Sequence, residues 1–175
     1  MFYKLIFTFM FIISSSWAAQ EVEDIKTFEA KFTQTIINSS DKKIVYKGKI
    51  YIKDQTKIVW KYESPIIKNV YIDRDFAIID EPELEQAIFT SLKKEINIVK
   101  LIKEAKKIEP NIYKTTMYDT DYMIQIENRR IKSVKYKDEL ENSIAIVFSD
   151  ILQNHKIDES NFKFNPPIGY DIIRK

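Results

Sequence analysis

Few residues of this 175-residue chain could make or break bonds. His155 is the single histidine and lies in a polar run, Gln153–Asn154–His155–Lys156, that reads as exposed surface. Cysteine is absent, which removes disulfides, zinc–thiolate centres and thiol nucleophiles. One histidine supplies no multi-histidine metal cluster, and no serine–histidine–aspartate set can be picked out around it. Glu81, Glu83 and Glu85 are close in sequence, but Pro82 between them marks a turn. They read as a solvated loop, not as two strand-end carboxylates converging in a cleft for sugar hydrolysis. Gly48 and Gly169 are the only glycines, too far apart for a glycine-rich phosphate loop. The formal net charge is +2, with lysines interleaved among acids, so no strong field is available to hold nucleic acid. The expectation is a protein with no catalytic residue, no metal and no cofactor.

What remains is binding by shape and hydrophobicity. The stretch Gly48–Pro65 reads as a hairpin with one oily face per strand. Ile50 and Ile52 alternate on the first strand, and Ile58, Trp60 and Tyr62 on the second. The positions between them, Lys47, Lys49, Tyr51 and Lys53, are mostly charged and are expected to face water. An aromatic pair aligned with isoleucines on one sheet face makes either a core or a greasy pocket.

The elements that position this face follow from period and turn chemistry. Residues 21–28 read as a short helix with Val22, Ile25 and Phe28 on one side. Strands are expected at 30–37, 44–53, 57–62, 67–72, 76–80 and 86–90, joined by short polar turns. Phe32, Gln34 and Ile36 share one side of the first. Between 92 and 108 the period changes: Leu92, Ile96, Val99, Ile102 and Ala105 recur at helical spacing, and Pro110 ends that helix. Four further strands are expected at 112–118, 122–127, 131–137 and 143–149, with Ile124 and Ile126, then Ile144, Ile146 and Phe148, on one side. The tail, 162–173, is expected to pack over one end of the sheet. The fold class is α+β, mainly antiparallel: an unclosed half-barrel of ten to eleven strands, with a short N-terminal helix and a central helix as lid. Two small helices are scant cover for such a sheet.

The amino terminus reads as a secretory signal. Lys4 precedes an apolar run over 5–13, followed by Ser14–Ser16 and small residues. The run is shorter than the roughly 20 residues that span a bilayer. The cut is expected after Ala18, leaving residues 19–175 as one exported, periplasmic domain.

In four places the chain resembles the family of the periplasmic outer-membrane lipoprotein carrier LolA: FEAKFTQTI (28–36), GKIYIK…WKYESP (48–65), EPELEQA (81–87) and FKFNPPIGYDII (162–173). The resemblance implies an unclosed barrel whose apolar interior receives acyl chains of lipoproteins from an inner-membrane lipoprotein-releasing ABC transporter and passes them to an outer-membrane acceptor. It implies a cavity wall of Phe32, Ile36, Ile50, Ile52, Ile58, Trp60, Tyr62, Ile124, Ile126, Ile144, Ile146 and Phe148, and a lid carrying Ile25, Val99 and Ile102. The protein is expected to act as a monomer. The family's Lys-Arg-Pro turn, whose Arg is tied to lid closure, is Lys53–Asp54–Gln55 here. Lys53, Lys57 and Asp54 are therefore alternative latch residues. A sensing domain of the same fold is the other reading, but it expects a second domain. An outer-membrane acceptor of this fold would need a lipidated cysteine.

The energetics suit a carrier. Each methylene withdrawn from water is worth about 0.8 kcal/mol, so two or three acyl chains carry on the order of 20–35 kcal/mol of unfavourable exposure. Affinities saturate near about −18 to −21 kcal/mol. A carrier that must release its cargo offsets only part of the exposure.

Overall fold

A computed structural model describes residues 25–92 and 98–175. The expected helix at 21–28 lies mostly outside them, as does the signal segment. The elements run β1 (Thr27–Ile37), β2 (Lys43–Lys53), β3 (Lys57–Ser64), β4 (Lys68–Asp73), β5 (Phe76–Glu81), β6 (Gln86–Ser91), α1 (Ile98–Glu104), β7 (Lys106–Glu109), β8 (Ile112–Met117), β9 (Thr120–Glu127), β10 (Arg130–Lys137), β11 (Ser143–Gln153) and β12 (Asp171–Arg174). The twelve strands form one sheet in the order β12-β6-β5-β4-β3-β2-β1-β11-β10-β9-β8-β7. Neighbours are antiparallel except β12, which runs parallel to β6. Its two edges, β12 and β7, do not pair, so the sheet is unclosed.

The long strand β1 is the seam. It pairs with β2 from Thr27 to Ile37 and with β11 from Phe28 to Ile37, joining a first meander (β1–β6) to a second (β7–β11). Inward residues of both meanders belong to one buried cluster with α1, which requires the sheet to curl. Bulges help it do so, since an extra residue sharpens local twist. One falls between β1 and β11 at Glu29/Lys31 and another between β2 and β3 at Lys47/Gly48. Glycine is mandatory at the second: a Cβ on Gly48 would lie 2.0 Å from the Lys61 carbonyl oxygen and 3.0 Å from the Phe32 ring.

With glycine so scarce, the hairpins turn on other residues in the left-handed region. Asn128 and Arg129 (φ 50° and 61°), Tyr118 and Asp119 (51° and 61°) and Asp54 and Gln55 (51° and 60°) do this work.

Several expectations are corrected. Thr27 and Phe28 are strand, not helix, because β1 continues its pairing with β2 to Thr27. The central helix is shorter than 92–108. Within the described residues it covers Ile98–Glu104, and Lys106–Glu109 is extended because it finds an open edge on β8. Pro110 therefore sits in a hairpin turn and ends no helix. The added edge strands β7 and β12 raise the count to twelve.

The tail does not cap one end of the sheet. To reach β6, the chain leaving β11 crosses the outer face of the first meander. There Ile157 and Phe162 pack on Tyr51 and Val59, with Tyr71 beside them, and Phe164 meets the rings of Tyr71 and Phe89. Tyr51, expected to face water, is buried for this reason. Lys61 fixes the tail by donating to Asn161 Oδ1 at 2.9 Å, and its ammonium lies over the Tyr51 ring.

Candidate functional site: an apolar inner face under a helix

The inner face is built by register. Ala30 and Phe28 oppose Ile50 and Ile52. These oppose Trp60 and Ile58, which in turn face Val70 and Ile72. Across the seam Phe32 opposes Phe148 and Ile36 opposes Ile144. Ile146 pairs with Val134, and Val134 with Ile124. Because strand side chains alternate, this single parity carries all of the wall residues named from sequence onto one face. Phe32, Ile50, Ile52, Ile58, Trp60, Ile124, Ile126, Ile144, Ile146 and Phe148 are buried there, and Ile36 and Tyr62 are partly buried against them. Aromatic edges organise the middle: Phe32 meets Trp60 at 5.0 Å and Tyr62 at 5.1 Å, and Phe28 meets Phe148 at 5.6 Å, each near perpendicular.

α1 lies over this face. Ile98, Val99 and Leu101 are buried, Ile102 is partly buried, and Ile25 joins the same cluster from the start of the described chain. Ile98 and Leu101 were missed from sequence. The helical stripe selected there was narrow, whereas the observed helix buries neighbours at 98–99 and 101–102 and so presents a broad face. Such breadth is the signal of a short helix sunk into a concave surface.

The turn between β2 and β3 meets the helix through Gln55, whose Oε1 accepts from Lys103 Nζ at 2.8 Å. Lys53 instead pairs with Glu159 in the tail. Asp54 is exposed and donates its backbone N–H to the Lys26 carbonyl at 2.9 Å, and Lys57 sits at the start of β3 opposite Asp73.

Four tyrosines occupy one part of the inner face. Tyr46 meets Tyr62 edge-on at 5.8 Å, and Tyr122 meets Tyr136 at 5.0 Å. The Tyr62 hydroxyl donates to Gln34 Oε1 at 3.3 Å. Burial, with Tyr46 adding to it, pushes the Tyr62 phenol up to about 12. Burial also raises Tyr136, with Tyr122 and then Tyr62 contributing. The polar character of this zone was not read from sequence, where Tyr62 was counted only as apolar wall.

His155 is partly buried, 3.3 Å from Glu29 Oε2. Glu81 accepts from Gln86, and Glu83 lies in a short 3-10 turn. No group of three potential metal ligands occurs among the described residues, and no described helix is long and apolar enough to cross a membrane.

Residues 23–112 match the family described as outer membrane lipoprotein carrier protein LolA. An outer-membrane lipoprotein carrier protein of Wolinella succinogenes is 31% identical over 167 residues, 95% of this chain and 97% of that protein. One of Campylobacter jejuni is 32% identical over 171 residues, 98% and 99%. An uncharacterized conserved protein of Thermus thermophilus shares the fold, with a TM-score of 0.55 at 9% identity over 89% of this chain and 96% of that one. With an apolar face of one parity, a helix packed on it and relatives matched end to end, this chain belongs to the outer membrane lipoprotein carrier protein LolA family.

Proposed function

We propose that the protein is a periplasmic carrier of acylated lipoproteins. It takes them from an inner-membrane lipoprotein-releasing ABC transporter, shelters their acyl chains on the inner face, and gives them up to an outer-membrane acceptor, acting as a monomer without bond chemistry of its own. Residues 1–18 serve as its cleaved export signal. One observation carries the reading: both meanders turn a continuous apolar face onto the helix whose described residues are Ile98–Glu104.

A helix in a protein takes most of its stability from the packing of its apolar face. The seating of α1 rests on the burial of Ile98, Val99 and Leu101 and on the contact between Lys103 and Gln55. Burying three such side chains is worth about 5–8 kcal/mol. About ten methylenes of an acyl chain supply the same amount at about 0.8 kcal/mol each. One chain can thus replace the helix against the wall, and further chains give net binding. The lid keeps the empty hollow from being wet and weakens the loaded state enough for release.

The experiment is to dilute a labelled triacylated lipoprotein from detergent into purified mature protein and follow a soluble one-to-one complex by size exclusion. Complex formation by the parent chain and its loss in Ile58→Glu and Ile36→Glu are expected, with strand content checked by circular dichroism. The partly buried Ile36 position tolerates charge better than Ile58, so one variant should remain folded. Lipoprotein that stays aggregated with the parent chain rejects the carrier reading.

A further inference from the structure

The inner face is not uniformly apolar, and its polar part is concentrated. Gln34 on β1 lies opposite Tyr46 on β2, and Tyr62 follows one pair further along, opposite Gly48. Tyr136 on β10 opposes Ile144, whose other neighbour is Ile36. Each of these side chains has the same parity as Phe32 and Ile146. The tyrosine zone therefore borders the greasy wall directly, from both sides of the seam. The two sides sense each other: a charge on Tyr62 raises Tyr136.

Gln34, Tyr62 and Tyr136 are each partly buried, so their polar atoms stand at the margin of the apolar face, where a ligand seated on that face would meet them. The groups are incompletely matched among themselves. Gln34 Oε1 accepts from Tyr62 at a long 3.3 Å, which leaves the Gln34 amide N–H groups as donors. The Tyr136 hydroxyl has no hydrogen-bond partner among the described residues. Phenol and amide donors beside a hydrocarbon-binding wall fit a molecule whose long chains end in carbonyl oxygens that accept and cannot donate.

We propose that Gln34, Tyr62 and Tyr136 form a carbonyl-recognition collar that hydrogen-bonds the ester and amide oxygens where acyl chains join the modified cysteine of the cargo. This inference rests on the carrier reading and deepens it. The wall takes the chains without selecting among them, and the collar reads the head group and sets how far the chains enter. The Gln34 amide and the Tyr136 phenol donate, the Tyr62 phenol, whose one O–H is given to Gln34 Oε1, holds that amide in place, and the ester carbonyl accepts. No covalent step is involved. Tyr46 and Tyr122 orient the two reading phenols through their ring contacts.

The test compares two probes of equal hydrocarbon content: a synthetic diacylglyceryl-cysteine peptide and its dialkyl ether analogue, which lacks the chain carbonyls. Binding of each to the mature protein is measured by fluorescence competition. One to two hydrogen bonds predict a preference for the ester probe of about five- to thirtyfold. Tyr62→Phe combined with Tyr136→Phe should lose most of the preference, since only hydroxyls are removed and any change in hydrocarbon contact falls on both probes alike. Equal binding of ester and ether by the parent overturns the collar while leaving the carrier reading standing, as does a preference that survives the double substitution. Binding of neither probe overturns both.

Discussion

The two meanders of this sheet share an inner face and differ on the outer one. In β3, Ile58, Val59 and Trp60 are all buried in succession, because the C-terminal tail covers the back of the first meander. In β9, Tyr122, Ile124 and Ile126 are buried while Asp121 and Met123 are exposed, because nothing described covers the back of the second. The difference shows where the molecule has freedom to change shape. The first meander lies between two apolar layers, one of which, the tail, is tied down by Lys61 and by Lys53. The second is held on one side only; α1 lies against its strand β8 and meets the first meander through Gln55. On the proposed function, the doubly covered first meander would be the fixed half and the second the one with room to yield.

The same residue type occurs on the outer face of both halves, which allows the contrast to be broken directly. Val59 is 1% exposed beneath the tail, and Val147 is 51% exposed on β11. Val59→Lys buries a charge among Tyr51, Tyr71, Ile157 and Phe162 and should cost about 3–5 kcal/mol, whereas Val147→Lys should stay within about 0.5 kcal/mol of the parent. Urea midpoints of the two variants decide it. Similar losses would mean that the tail is not a structural layer.

The inner face should behave alike in both halves, and alkaline titration tests that. The unfolded Tyr62 phenol ionises near 10.0, but in the folded protein burial holds the proton to about 12. The folded state binds more protons over that interval. Its stability is complete below pH 10 and declines as pH rises towards 12, by about 2–3 kcal/mol for this group alone. Tyr136 is raised for the same reason and adds to the decline. Tyr62→Phe and Tyr136→Phe, one from each half, should each flatten the fall in denaturant midpoint between pH 9.5 and about 11.5. A slope unchanged in one variant would show that half to be wet on its inner side.

How much of this was legible in the sequence depended on how many faces of a strand are dry. Where one face is wet, as in β9 and β11, alternation named Ile124, Ile126, Ile144, Ile146 and Phe148 without ambiguity. Where both faces are covered, alternation between oily and polar positions misleads. Tyr51 was assigned to solvent because its neighbours are lysines, and only the distant tail, joined to it by no sequence period, makes that position dry. Lys106–Glu109 continued the helical rhythm of the residues before it, and the choice of strand was made by the open edge of β8, a tertiary reason. Composition narrowed the chemistry the chain could support, since one histidine and no cysteine leave little to assemble. The tyrosine collar was illegible because tyrosine counts as wall or as donor according to where its hydroxyl ends, which the sheet's register decides.

The hairpin turns allow the finest contrast. Arg129 takes a left-handed conformation (φ 61°) in the exposed turn between β9 and β10, and Gln55 takes the same conformation (φ 60°) between β2 and β3. A Cβ in that region is strained, and glycine relieves it at some cost in unfolded-state entropy. Arg129→Gly should therefore stabilise the protein by about 0.5–1 kcal/mol. Gln55→Gly relieves the same strain but removes the acceptor that meets Lys103 of α1 at 2.8 Å, so the two effects offset and the net change should be near zero. The helix would nevertheless be freer. Amide exchange across Ile98–Glu104 should quicken in Gln55→Gly and not in Arg129→Gly, even though the first variant is no less stable overall. Equal exchange in both would mean that burial of Ile98, Val99 and Leu101 seats the helix without help from the turn, and that the turn has no part in its release.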